Sequence, residues 1–500
     1  MRIQQFLEHH GIGSNPFADE DAQTDLVFKG ACIRAVYHPA WDKIYGDPSE
    51  PATAVVFGEK GSGKTAVRMQ IARRLEDYNA DHPDRQVFVV QYDDFNPFLD
   101  RFRERFSSRW RRRMDWTLGQ WRLWDHIDAV LALAVTQLVD RVLGVKQVRH
   151  PAARDEPLPV ESLDRPQGRD LLLLAACYDQ STAENVETRW HQVRRKLRFP
   201  TWRAKWSLGV GIAVTMLLAV LAGWLTWKWQ WRVAYCQWML VALAAGWLPH
   251  GLRWAKWYWQ ARRIVRSTRV LSHNTNLLRR LLMKFAGREL IGQPLPSAQR
   301  TDDRYELLAK LQGLLRSLRL DGLLVLVDRV DEPYLVNGST DLMQALVWPM
   351  LDNKFLKHPG LGIKLLLPSE LERLLDRQPA DFHQRARLDK QNLVRSLQWT
   401  GQSLFDLANA RLKACAGQNQ SPGLAKLFEP AVSEQRLKDA LGTLRVPRHV
   451  FKFMYRLLTT HCNAHGDEQP VWQISSGTFE SVLALYQRDQ DASDRGAGAG

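Results

Sequence analysis

Two kinds of apolar pattern run along the chain. Short runs lie near its two ends: Ala52–Phe57, Gln86–Gln91, Leu323–Val327 and Gly362–Leu367. Apolar runs of that length without alternation predict strands buried on both faces, as in a parallel sheet. Between and beyond them the period changes to that of helices. Val67, Ile71 and Leu75 recur at four-residue spacing and predict a helix over Thr65–Tyr78, and Ser403–Ala416 and Val446–Leu458 read as helices of a C-terminal unit. The middle of the chain carries two longer runs, Ser207–Trp227 and Val233–Pro249, separated only by Lys228–Arg232. As helices they measure about 31 Å and about 26 Å, against a bilayer hydrocarbon core of roughly 30 Å. They predict a transmembrane hairpin, the second span being the shorter and holding Gln237. Gly211, Ala219 and Gly223 on one run, and Ala242, Ala245 and Gly246 on the other, are either packing positions between the helices or apolar filler.

Charge changes the picture in one place. The formal charge is +15, yet residues 188–288 hold 19 Lys and Arg with no Asp or Glu, so the rest of the chain comes to −4. The basicity thus belongs to the flanks of the apolar runs, where anionic lipid headgroups are the expected partner, rather than to a general nucleic-acid surface. Seven Lys and Arg fall in 189–206 and six in 250–269, against two in the connecting turn. Eleven of the 20 Trp lie between Trp202 and Trp259, an aromatic belt. The expected partner of 207–249 is therefore the lipid bilayer, with two spans and both termini cytoplasmic. The five cysteines have no paired spacing, and the first ten residues lack an apolar export signal.

Candidate chemistry sits on either side of the hairpin. Gly58-Glu-Lys-Gly61-Ser62-Gly63-Lys64-Thr65 has the spacing G-x-x-x-x-G-K-[ST] between a predicted strand and a predicted helix. Glycines there let backbone N–H groups turn toward a phosphate at a helix N-terminus, Lys64 reaches the β- and γ-phosphates, and Thr65 ligates Mg²⁺. Asp328, at the end of Leu323–Val327, is placed to hold Mg²⁺ directly or through water. Glu332, and Asp331 as its alternative, are the candidates to orient or deprotonate an attacking water. Ser369 follows the strand Gly362–Leu367 and either senses the γ-phosphate or caps the helix Glu370–Asp376. Arg448, after Pro447, heads the last helix and is a candidate to bring a guanidinium over the nucleotide. The cofactors expected are ATP and Mg²⁺.

Together these features resemble the STAND branch of P-loop NTPases. Asp328-x-x-Asp331-Glu332 is similar to the second motif of its NACHT-type members, and a membrane hairpin between the two motifs is similar to the KAP group. Asn15-Pro16-Phe17, Gly46-Asp47-Pro48 and Pro447-Arg448 resemble bacterial origin-recognition-type AAA ATPases. The resemblance covers roughly 1–95 and 320–460. Arg329 stands where NACHT members usually carry a small residue, and KAP proteins usually carry paired aspartates at the strand end. The resemblance implies an ATPase that switches conformation, often in signalling or in defence against invading DNA, and a bacterial inner membrane as its location.

The expected fold class is α/β: a P-loop NTPase with a parallel sheet, interrupted by a helical insertion carrying the hairpin, plus a C-terminal helical lid. The expected domains are 1–95 and 320–400 for the core, 96–319 for the insertion, 401–490 for the lid and 491–500 as a disordered tail. Pro151–Gln167 reads as a linker. Arg101–Arg122 interleaves arginines with Phe102, Phe106, Trp110, Trp116 and Trp121. That stretch grips nucleic acid, lies on anionic lipid, or is a solvated helix face buried on its aromatic side. Three functions remain in view: a membrane-tethered ATPase switch, which is the reading adopted; an ATP-driven motor or transport component, with a homo-oligomer lining any solute path; and a DNA-docking module.

Overall fold

The computed structural model describes residues 1–111, 113–145, 158–229, 236–417, 422–466 and 468–497. A 5-stranded sheet of β1 (Ala54–Gly58), β2 (Gln86–Tyr92), β3 (Leu320–Val327), β4 (Leu361–Pro368) and β5 (Asn392–Val394) has the order β2-β3-β4-β1-β5. β1 pairs in parallel with β4 from Ala54↔Lys364 to Gly58↔Pro368, and with β5 from Ala54↔Asn392 to Val56↔Val394. Every residue of β1 and β4 is buried. This is why both read as unbroken apolar runs, since neither face of a central strand meets water. Lys364 is the exception within β4. Its buried ammonium donates to the carbonyls of Tyr45 and Ala52 at 2.9 and 2.7 Å and so fixes the approach to β1. Burial pulls that ammonium down to about 8.

Contacts group the chain into Met1–His82 with Leu324–Gly500, and Pro83–Leu323. In the first unit, Phe6, Leu7, Ile12 and Phe17 join one apolar core with Leu404, Leu412, Leu437, Phe453 and Phe479. The start of the chain, assigned by sequence to the sheet domain, therefore packs among the C-terminal helices. Arg411 fastens it there. Its guanidinium meets Asp25 at 2.5 Å and the Pro16 carbonyl at 2.6 Å, and it lies over the Phe451 ring. The terminal helix runs Ser476–Ala497, so residues 491–497 are helical rather than a tail, and Asp489 pairs with Arg456 at 2.7 Å.

The second unit is built on the helices Leu123–Leu143, Arg165–Tyr178, Val186–Lys196 and Thr301–Ser317. Asp128 and Arg304, both fully buried, pair at 3.0 Å, and the Tyr178 hydroxyl donates to Asp128 at 2.8 Å. Asp179 and Arg189 form a second buried pair at 2.9 Å. The expected linker ends early. Asp164 accepts the Gln167 N–H at 2.8 Å and starts the helix Arg165–Tyr178, while Pro151–Pro157 lies outside the described residues. In the arginine-rich stretch Phe102 and Trp121 are buried, Phe106 and Trp110 are partly buried and Trp116 is exposed, while Phe102, Phe106, Trp116 and Trp110 pack edge to face or tilted in a chain. That matches a helix face buried on its aromatic side, and it leaves Phe102 and Trp121 no surface for stacking on bases.

The two central runs form the helices Trp206–Trp229 and Cys236–Ser267. One stretch, Trp202–Trp224, is long and apolar enough to cross a membrane, with a mean hydropathy of 2.0 and little burial in the protein. A second span is not met among the described residues. Val233–Tyr235 fall outside them, and the second helix runs past Pro249 into His250, Arg253 and Lys256. The helices pack antiparallel through small residues. A Cβ on Gly211 would lie 2.9 Å from the Trp247 ring, and one on Gly246 2.6 Å from Val214. The Trp247 indole N–H donates to the Thr215 hydroxyl at 3.0 Å. Gly211 and Gly246 are thus packing positions, whereas a Cβ on Gly223 would meet nothing within 4 Å among the described residues.

Candidate functional site

β1 delivers Gly58 to the carboxyl edge of the sheet, and the helix Lys64–Asp81 leaves from the same point. Gly61 and Gly63 carry the turn, with φ of +91° and +94°, values that side-chain-bearing residues rarely adopt. Gly61 has a second reason to lack a side chain, since its Cβ would come within 2.7 Å of Arg448 Cβ. Gly58 is likewise crowded, by Ser62 Oγ. The first turn of the helix contains no acid, so its amino end keeps the positive potential that attracts anions. Ser62 is fully buried in the loop, and its Oγ lacks a hydrogen-bond partner among the described residues.

Two carbonyls of the loop point outward and are held by the C-terminal part of the chain. Trp399 donates its indole N–H to the Ser62 carbonyl at 2.9 Å, and the Arg448 backbone N–H reaches the Gly61 carbonyl at 3.4 Å. Trp399 is braced edge-on by His38, whose Nε2 bonds the Gln398 carbonyl at 2.9 Å. Arg448 approaches Glu20 at 4.0 Å, and Lys452 meets the same carboxylate at 3.4 Å. Nothing local in the sequence marks Trp399 for this role.

Inside the loop, the Lys64 ammonium donates to the carbonyls of Gly58 and Glu59 at 2.7 and 3.0 Å. Burial lowers its pKa. The carboxylates of Asp331, Asp328 and Glu370 oppose that shift, while the Arg448 guanidinium adds to it. These five residues therefore converge. Thr65 donates its hydroxyl to Asp328 Oδ2 at 2.9 Å, and the Arg329 N–H donates to Oδ1 at 2.9 Å. Arg68, one turn beyond Lys64, brings its Nε within 3.2 Å of Asp328 Oδ2, with both side chains buried. Burial raises the Asp328 carboxyl, and Arg68 is the strongest influence in the other direction.

The two candidates to act on water part company. Glu332 is half-exposed and turned into an ion pair with Arg329, itself held at φ 62°. Asp331 is partly buried, with its carbonyl accepting the Gly338 N–H at 3.0 Å, and it is the carboxylate that acts most on Lys64. Ser369 does not cap a helix. Pro368 occupies the cap position and Ser369 is the first residue of the helix Ser369–Leu375, its hydroxyl 3.5 Å from Glu370. The pairing Gly58↔Pro368 sets Ser369 and Glu370 beside the loop.

This arrangement suits a polyphosphate: a glycine turn at a helix amino end, an ammonium resting on loop carbonyls, and a buried hydroxyl without a partner among the described residues. It also suits Mg²⁺ held by Thr65 with Asp328 acting through water, because Arg68 already stands beside the oxygen nearest Thr65. Among the described residues there is no cluster of three or more acidic, histidine or cysteine side chains fit to hold a metal by itself. No protein-family model, curated protein or solved structure matches the chain at a significant level.

Proposed function

We propose that this chain is a membrane-anchored ATPase whose nucleotide acts as a conformational switch. The observation that carries the reading is the double hold on the loop, with Trp399 on the Ser62 carbonyl and Arg448 on the Gly61 carbonyl. A phosphate that reorders Gly61–Gly63 necessarily moves those two carbonyls, and with them the start of the helix Pro447–Ala464. In this reading Lys64 leaves the carbonyls of Gly58 and Glu59 for the β- and γ-phosphates. Thr65 and Asp328 would hold Mg²⁺, which would supply charge neutralisation to the phosphates. Asp331 orients the attacking water, with Ser369 and Glu370 lining the same edge. Glu332, paired with Arg329, controls the loop after β3 rather than the water.

The anchor is the hairpin. The packing of Gly211 on Trp247 and of Gly246 on Val214 brings Trp206 level with Trp254, two exposed rings suited to the headgroup region. By that register the second helix enters the bilayer a few residues beyond Pro249, which lengthens its span toward that of the first. Arg253 remains at the boundary, its guanidinium held by the carbonyls of Ala204, Met283 and Phe285. The bacterial inner membrane, both termini cytoplasmic, is the location this reading adopts.

The deciding experiment is made on the purified chain in nanodiscs: retained nucleotide and ATP turnover, compared with Lys64→Ala. Tightly held nucleotide with turnover of minutes or longer, both lost in Lys64→Ala, is the expected result. Fast steady turnover lost in the variant favours a motor instead. Equal behaviour of variant and parent overturns the nucleotide reading altogether.

A further inference from the structure

We propose that Arg68 supplies, from within the protein, charge that a divalent cation normally brings to a triphosphate site, so that this chain holds ATP with little dependence on Mg²⁺. The inference rests on reading Gly58–Thr65 as a nucleotide loop. Arg68 lies one helical turn beyond Lys64 and on the same face of the helix Lys64–Asp81. It is 4% exposed, and its Nε stands 3.2 Å from Asp328 Oδ2, the oxygen that also accepts the Thr65 hydroxyl. The other oxygen, Oδ1, accepts the Arg329 N–H. Both oxygens of the carboxylate thus already accept a hydrogen bond, and Oδ2 also has the Arg68 guanidinium beside it.

The physical consequence follows from what a guanidinium is. It keeps its proton at any accessible pH, and once buried beside a carboxylate it leaves only by stranding that charge in a low-dielectric site. A Mg²⁺ ion bound directly to Oδ2, at roughly 2.0–2.1 Å, would lie against a second cation. The ion is left with Thr65, water and the phosphates. A cation strengthens nucleotide binding through its favourable interaction with the site as well as with the phosphates. Here much of the first contribution is already made by Arg68. Because such coupling is reciprocal, a weak effect of Mg²⁺ on ATP affinity means an equally weak effect of ATP on Mg²⁺ affinity.

The test is equilibrium binding of ATP by calorimetry to the full chain in nanodiscs, in excess Mg²⁺ and in EDTA. The parent protein should change its Kd by less than about threefold between the two conditions. Arg68→Gln should become cation-dependent, losing more than about tenfold in EDTA, and Arg68→Lys should stay near the parent. A parent protein that loses more than about tenfold in EDTA overturns the proposal without any variant. So does an Arg68→Gln protein as indifferent to EDTA as its parent. Lys64→Ala separates the two failures. If it loses ATP binding while the parent proves strongly cation-dependent, only the role of Arg68 falls. If it binds ATP like the parent, the nucleotide reading falls and this inference with it.

Discussion

Trp399 donates its indole N–H to the carbonyl of Ser62 at 2.9 Å, across 337 positions of sequence. One side chain from the approach to the C-terminal helices thereby sets the peptide plane between Ser62 and Gly63, and so the direction of the N–H that a phosphate would meet. Trp399→Phe keeps most of the ring and removes the donor. A neutral hydrogen bond contributes about 0.5–1.5 kcal/mol, so ATP affinity should fall by roughly threefold to tenfold. Circular dichroism should be unchanged, and a titration of the variant against its parent reads the effect.

On the proposed reading the acids after β3 have separate tasks. Asp331→Asn should retain ATP but lower turnover by about 10²–10⁴-fold, the usual contribution of a positioned base. Glu332→Gln should cost less than about tenfold, because its carboxylate is engaged by Arg329. Single-turnover hydrolysis of bound ATP checks both, and the opposite ranking would return the role to Glu332.

Asp128 and Arg304 form a fully buried pair in the helical unit. Arg304→Met leaves the carboxylate without its counter-charge and should cost about 3–5 kcal/mol of stability. The double replacement Asp128→Leu with Arg304→Met should recover most of that loss. Denaturant unfolding of the three proteins measures it.

His273 is partly buried, and desolvation lowers it from 6.5 to about 4, with Arg105 and Arg101 acting in the same direction. A group depressed in the folded state contributes stability that is complete above its unfolded pKa and lost as pH falls through its folded one. The helical unit should therefore weaken between about pH 6.5 and pH 4 by about 3 kcal/mol on this account. His273→Phe should flatten that part of the pH profile of the unfolding midpoint, other lowered histidines such as His38 keeping the remainder.

Four of the five strands and the loop were legible in the chain because their causes are local, whereas the short edge strand Asn392–Val394, only partly buried, was not. Ala54–Gly58 and Leu361–Pro368 are buried on both faces, so each must be apolar throughout, and such a run is visible without knowing its neighbours. The loop is legible for the same reason, since Gly61 and Gly63 are required by backbone angles within one turn. The first apolar helix, the small residues on the hairpin and the basic flanks are also written locally. The last helix reaches into the expected tail as far as Ala497, and Arg436 and Arg456, from elsewhere in the chain, pair with Glu480 and Asp489 before that stretch begins.

Which distant groups meet was set by the fold. Arg68 looks like an ordinary polar position of a helix until β3 brings Asp328 to 3.2 Å from it. Trp399 looks like one more aromatic residue until the chain returns it to Ser62. Met1–Phe17 carries nothing that points to the C-terminal helices, yet Phe6 and Phe17 complete their core. Periodicity and turn chemistry report constraints within a few residues, and sequence determined those. Pairing of charges and donors across hundreds of residues depends on chain topology, and there the fold alone chose the partners.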